Sequence, residues 1–341
     1  MFTLFRIFFV FVGLLVILSE AWAQPNYYEG KTVQLIVGYS AGGGFDAYAR
    51  TIARHMGKHV PGNPTFVVEN RTGAGSLIAA NHLFKVSKPD GLSIGHFIGG
   101  FFLGQVLGQL GIEFDARQFE YLGSPVVDHS VCVFSKSSGV TSIDAWRSAK
   151  TPVKVGGLAP GSSTPDNVTR ILKEALGLPV QLVTGYKGVA DIRLAVESGE
   201  LAGGCWGWDG TKRPWAKRLA TGDVIVVLQN SSSAHVDLPK VPLAIQQAKT
   251  EDARQLIRVG IHDQSAILRP FVLPPHTPKD KVAILRKAFT NTLNDPEFRA
   301  DATQGRLDIE PVSGQEVENV VHGLFKLPPA LISRLKDILY K

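Results

Sequence analysis

The sequence predicts an α/β protein made of two units, each a parallel sheet covered by helices. Short apolar strand signals and amphipathic helix signals alternate as βαβαβ between residues 32 and 98, the order of a parallel sheet with helical crossovers. The alternation restarts after residue 150. The 341-residue chain also exceeds what one ordinary hydrophobic core encloses, so two domains are expected.

Thr32–Val37 is short, β-branched and nearly all apolar, the pattern of a buried strand, and Ser40–Gly44 breaks it. From Asp46 to Met56, Ala49, Ile52, Ala53 and Met56 recur on one helical face. Phe66–Glu69 is the second strand, and Leu77–Phe84 a helix with Ala80, Leu83 and Phe84 inward. Pro89-Asp90-Gly91 forms a turn before a third strand, Leu92–Ile98. In the second unit Val153–Val155, Val180–Val183, Ala202–Cys205 and Val224–Leu228 read as strands. Pro165–Leu176 and Val189–Val196 read as helices. Val126–Ser135, between the units, is strand-like, as a crossover would be. The tail returns mostly to helix: Thr277-Pro278 reads as an N-cap followed by proline at the first helical position, and the last helix starts near Pro329.

Met1–Ala23 reads as a leader. Arg6 precedes an unbroken apolar run from Ile7 to Leu18, and Ala21-Trp22-Ala23 gives an A-x-A cleavage pattern before Gln24. This is the layout of a secretory signal peptide. The apolar run is shorter than the roughly 20 residues of a spanning helix; an uncleaved anchor is the alternative. The expected mature chain has 318 residues and is exported.

Apolar residues make up 44% and charged residues 19%, a globular balance. The net charge of +6 survives cleavage because Arg6 and Glu20 leave together. Lys and Arg are scattered with no dense basic run, which argues against a nucleic-acid partner. A mild positive field suits an anionic ligand. An oxidising compartment permits a disulfide between the two cysteines, Cys132 and Cys205. Each lies in an apolar stretch, however, where a buried free thiol is the commoner outcome, so free thiols are expected. No Cys/His spacing resembles a metal site, and no metal or cofactor is expected.

Five loops at strand–helix junctions are candidate ligand contacts. In Ser40–Asp46 three glycines let a ligand approach the backbone, the helix N-terminus attracts anions and Asp46 can cap the helix. The dinucleotide spacing G-x-G-x-x-G fails at Ala47, and a plain tight turn is the alternative. Asn70–Ser76 joins strand to helix in the same way, with Arg71 read as a structural partner of Glu69 or Asp90. Gly156–Thr164 offers Ser162, Ser163 and Thr164 ahead of a helix, or simply a Thr164 cap with Pro165 at its first position. Tyr186-Lys187-Gly188 places a lysine that either neutralises a carboxylate or is solvated. Trp206-Gly207-Trp208-Asp209 either walls a ligand or packs between domains.

In this order the loops resemble the Bug-type, or tripartite tricarboxylate transporter (TctC-like), substrate-binding receptors. The matching stretches are Val33–Val37 with Gly42-Gly43-Gly44-Phe45-Asp46, Val67–Gly75 and Lys88–Gly91. Downstream, Tyr186-Lys187-Gly188, Leu238–Pro242 and Pro274–Pro278 continue the match, which covers nearly the whole mature chain. The resemblance implies a two-lobed periplasmic-binding-protein fold, type II-like, that closes as a Venus flytrap on two crossover strands. Lobe one is expected at 24–126 and 235–341, and lobe two at 127–234. It implies a small organic acid bound between the lobes. By position, Ala41, Gly42, Gly43, Asp46, Gly75 and Ser76 would serve from lobe one, and Ser162, Ser163 and Tyr186 from lobe two. The sequence departs from the family pattern at Phe45, where Thr is frequent, and at Pro165, where His is frequent. Trp206–Asp209 lies outside the general pattern, and Asp209 joins the candidate ligand contacts as an acceptor for a hydroxyl or amine.

The expected function is a periplasmic solute-binding receptor, without enzymatic activity, that delivers its ligand to membrane permease subunits and works as a monomer. Two alternatives are an exported sensor for a membrane kinase and an exported hydrolase. The hydrolase needs a nucleophile held by a base; Ser162 lacks the G-x-S-x-G elbow because Thr164 stands at its final position.

Overall fold

Two sheets organise the chain, one of six strands and one of five. The computed structural model describes residues 27–158, 164–186 and 188–340; the expected leader, Ser162, Ser163 and Lys187 lie outside them. The strands are β1 (Thr32–Val37), β2 (Thr65–Asn70), β3 (Ser93–His96), β4 (Glu120–Ser124), β5 (Ser130–Ser135), β6 (Val153–Gly156), β7 (Val180–Val183), β8 (Gly203–Gly207), β9 (Val224–Gln229), β10 (Phe271–Leu273) and β11 (Val312–Ser313). The helices are α1 (Gly44–Met56), α2 (Leu77–Lys85), α3 (Gly100–Val106), α4 (Ile143–Arg147), α5 (Thr164–Leu176), α6 (Val189–Glu197), α7 (Asp209–Lys212), α8 (Ala216–Thr221), α9 (Ala244–Gln247), α10 (Glu251–Ile257), α11 (Asp263–Ala266), α12 (Lys279–Asn294), α13 (Pro296–Gln304), α14 (Gly314–Leu324) and α15 (Pro329–Tyr340).

The sheet orders are β2-β1-β3-β10-β4-β11 and β7-β6-β8-β5-β9. In each, the strand joined by helical crossovers pairs parallel with two neighbours: β1 with β2 and β3, and β6 with β7 and β8. Each also contains one antiparallel strand that carries the chain in from the other lobe. β5 enters the second sheet beside β8 and β9 directly after β4. β10 returns to the first between β3 and β4. These are the two crossover strands of a two-lobed α/β fold.

Burial follows the period of two that a strand imposes. Val131 and Val133 face one core with Ile192, Trp206 and Trp215. Cys132 and Phe134, on the opposite face, join a second core with Trp146, Ile171 and Leu335. In the first lobe Val33 and Leu35 pack with Ile52, Met56 and Phe289.

Two expectations, the free cysteines and the Thr277 cap, are corrected here. Cys132 and Cys205 form a disulfide, because antiparallel register places them directly opposite on neighbouring strands β5 and β8. A separation of 73 residues hid that juxtaposition. Two helices from the 235–341 segment pack beside the second sheet's helices. α10 and α15 pack on α5 of the second lobe, with Leu331, Leu335 and Leu339 forming the buried stripe of α15. Thr277 is not an N-cap: its Oγ1 donates to the Pro274 carbonyl at 2.8 Å, and α12 begins after Pro278. β4, β10 and β11 were not anticipated; β10 and β11 are too short to show a period.

Candidate functional site

The strand ends of both sheets open on a shared cleft of about 950 Å³. Lobe one lines it from Tyr39, Phe45, Tyr48, Gly75 and Arg269, the first crossover from Asp128 and His129, and lobe two from Trp206, Trp208, Asp209 and Lys212.

On the lobe-one side the glycine loop is a fastened turn. Gly42 has φ +82°, a conformation that favours glycine. Its N–H donates to Asp46 Oδ2 at 2.8 Å, as does Arg50 Nε at 2.8 Å, and Asn70 Nδ2 donates to Oδ1 at 2.8 Å. Burial would raise the Asp46 pKa, but these donors outweigh it and bring the carboxyl down to about 2. Asp46 is 2% exposed, so it ties the loop to α1 instead of facing the cleft. It is not the helix cap, since Gly43 takes that position without a side-chain bond. Lobe two repeats the device: the Leu158 N–H donates to Asp166 Oδ2 at 2.7 Å in the first turn of α5.

The second loop carries positive φ at Gly73, Ala74, Gly75 and Ser76, a run that stores backbone strain at the cleft edge. Ser76 is fully buried, and its Oγ accepts from the Ile98 N–H at 3.1 Å.

Arg269 stands on an aromatic stack. Its guanidinium lies 4.7 Å from the Phe45 ring centre and 5.3 Å from that of Tyr48, within range of a cation–π attraction. Phe45 lies 4.8 Å from His96, which stacks at 4.1 Å on Phe271. Burial pushes the His96 pKa down to about 3, so the ring is neutral and does not repel the guanidinium. Gly44 lies beside it, where a Cβ would stand 3.4 Å from Arg269 Nη1, an ordinary contact. That Nη1 is buried without a hydrogen-bond partner among the described residues. No described carboxylate forms an ion pair with Arg269.

Asp128 lines the same cleft at the first crossover. Desolvation raises its pKa, opposed in part by the fields of Arg269 and His129. Its carboxylate has no hydrogen bond or ion pair among the described residues. Gly207 makes room for it, since a Cβ there would lie 3.0 Å from Asp128 Oδ1.

The other charges are paired. Lys212 Nζ reaches Asp308 at 3.0 Å, Asp209 at 3.5 Å and Asp237 at 3.6 Å. Because Asp308 belongs to lobe one, this cluster spans the lobes. Desolvation and then the neighbouring Asp308 carboxylate push Asp209 up to about 7. The Trp208 indole donates to Asp237 Oδ2 at 2.8 Å, and His129 Nε2 stands 2.5 Å from Glu310. Trp206 is 1% exposed and its Nε1 has no partner among the described residues.

Of the residues expected from the sequence, Gly75 and Asp209 line the cleft. Ala41, Gly42 and Gly43 form an exposed turn beside it, while Asp46 and Ser76 face inward. Tyr186 points away and donates to Glu200 at 2.5 Å. Ser162 and Ser163 lie outside the described residues. Arg71 pairs with Glu69 at 2.7 Å, as its structural reading required. Arg269, Asp128, Lys212 and Asp308 were missed. They lie outside glycine- or serine-rich loops, and only the two-lobed topology gathers them.

Residues 48–336 match the tripartite tricarboxylate transporter family receptor. A TctC solute-binding protein from Polaromonas superposes with a TM-score of 0.68 at 16% identity, covering 91% of this chain and 98% of that one. MatC from Rhodopseudomonas palustris, with bound malate, gives 0.61 at 20% identity over 91% and 99%. A second R. palustris protein, with adipate, gives 0.64 at 19% over 93% and 98%. The UPF0065 protein in the gbd 5′ region of Cupriavidus necator is 34% identical over 74 residues, a stretch spanning 22% of each chain.

Proposed function

The chain belongs to the tripartite tricarboxylate transporter receptor family, and we propose that it is a periplasmic receptor that captures a small organic carboxylate between its lobes and delivers it to membrane permease subunits. The observation that carries this reading is Arg269: a permanent cation, positioned by an aromatic stack, with a buried N–H that lacks an acceptor among the described residues. A buried unpaired donor is costly, and a ligand carboxylate relieves it with a charge-assisted bond. Relatives of the same fold hold malate and adipate, which supports the ligand class. Gly75 borders the anion from lobe one. Ligand contacts available only when the lobes meet would drive hinge closure at the two crossovers. Export rests on the signal-peptide pattern of Met1–Ala23.

The test is thermal unfolding of residues 24–341 against mono-, di- and tricarboxylates and amino acids. A ligand at 100 times its dissociation constant adds about 2.7 kcal/mol and raises the midpoint. If no acid in the panel does so, the cleft is not a carboxylate site.

A further inference from the structure

We infer that the ligand of this cleft is a zwitterion, an amino acid with an apolar side chain, whose carboxylate pairs with Arg269 and whose ammonium pairs with Asp128. The inference rests on the receptor reading above and narrows its ligand class.

Arg269 and Asp128 carry opposite charges, line one cleft and feel each other's field, yet no ion pair joins them. Unlike charges withdrawn from water are stabilised by pairing, so their separation requires a cause on each side. Arg269 is held by its stack on Phe45 and Tyr48. Asp128 is held by its backbone: its N–H donates to the Ser265 carbonyl at 3.2 Å and its own carbonyl accepts from the Ser130 N–H at 3.1 Å. Each therefore presents half of an ion pair to the space between. A molecule with one carboxylate and one ammonium completes both halves.

The rest of the cleft disfavours a second carboxylate. Lys212, the other permanent cation among the described lining residues, is already shared among three aspartates. A dicarboxylate would direct its second anion toward Asp128 or toward that acidic group, and like charges at short range repel. Trp206 Nε1, without a partner among the described residues, adds a neutral donor from lobe two and not a second cation. Behind the cleft a recess of about 70 Å³, sharing Ile98, Phe101, Leu268 and Asp128 with it, is lined by Leu103, Leu107 and Leu339 and also by Asn167 and Gln264, whose carbonyl oxygens are buried without partners among the described residues. Its leucines take an apolar side chain, and among the described residues it offers no cation to a charged one.

The experiment is calorimetric titration of the mature chain with L-valine, L-leucine and L-phenylalanine, with their deaminated counterpart acids, and with malate and adipate. At least one of the three amino acids binds about tenfold or more tightly than its deaminated counterpart and than either dicarboxylate. Asp128→Asn removes that preference and leaves the deaminated acid bound as before. The wild-type comparison stands even if the variant fails to fold. Tighter binding of malate, adipate or the deaminated acids, or an unchanged preference in a folded Asp128→Asn protein, overturns the zwitterion and leaves the carboxylate receptor intact. Heat with none of these compounds overturns the inference together with the receptor reading.

Discussion

Two regions of the cleft, the glycine loop and the ends of the crossover strands, use their polar groups in opposite ways. On the lobe-one wall the glycine loop spends its polar atoms internally: Asp46 takes three donors and is almost fully buried. Elsewhere, Trp206 Nε1 on the lobe-two wall and Arg269 Nη1 ahead of the returning crossover are buried with no hydrogen-bond partner, and Asp128 at the first crossover has no ion pair, among the described residues. Lobe two adds a disulfide between β5 and β8 to its own loop-to-helix carboxylate, Asp166. Satisfied polar groups thus mark what holds the walls in shape. The unsatisfied ones mark what a ligand would meet. Sequence motifs drew attention to the first kind.

The disulfide gives the largest expected effect. It closes a loop of 73 residues, so replacing Cys132 and Cys205 by Ala costs lobe two about 4 kcal/mol. Thermal unfolding with and without reductant measures this, and a midpoint indifferent to reductant would show that lobe two needs no covalent tie. Next is Asp46→Ala, which leaves the Gly42 and Asn70 donors unmatched and costs about 3 kcal/mol in urea unfolding. The same network predicts an acid limb. The folded pKa of Asp46 lies near 2, below the ordinary 3.8, so its contribution is complete above pH 3.8 and lost as pH falls toward 2.

A smaller effect concerns the contact between the walls. The Asp209 pKa is raised to about 7 from 3.8, so the protonated form, able to donate to Asp308, is favoured at low pH. The interlobe contact is complete below the ordinary value and is lost as pH rises through about 7. Asp209 is 45% exposed at its side chain, which screens the effect. Small-angle scattering of the ligand-free protein should show a slightly larger radius of gyration at about pH 8 than at about pH 6; a Lys212→Met variant should enlarge it at both. The smallest expected change is Gly42→Ala, costing about 1 kcal/mol because φ is +82°. A neutral result there would mean the turn relaxes without loosening Asp46.

Periodic segments were legible from sequence. The strands now seen as β1, β2 and β6 to β9, and the helices α1, α2, α5 and α6, each carry enough residues for a period of two or of 3.6 to show. β10 and β11 do not, at three and two residues, and they matter because β10 is the returning crossover that delivers Arg269. The sequence singled out loops of which the cleft takes only some residues. Phe45 faces the cleft and its neighbour Asp46 the core; Gly75 lines the cleft and Ser76 is buried. Along one turn, adjacent residues point to opposite sides, and composition does not say which. Asp128, Arg269 and Asp308 are isolated in sequence and meet only because the chain crosses between lobes twice.

The most direct test of the distinction between satisfied and unsatisfied groups compares two variants in calorimetry with the ligand identified by thermal unfolding. Arg269→Gln should weaken binding about a hundredfold with little change in unfolding midpoint, whereas Asp46→Asn should lower the midpoint and leave affinity within about threefold. If Arg269→Gln binds like the parent and Asp46→Asn loses the ligand, the glycine loop is the anion site and the unpaired guanidinium is not.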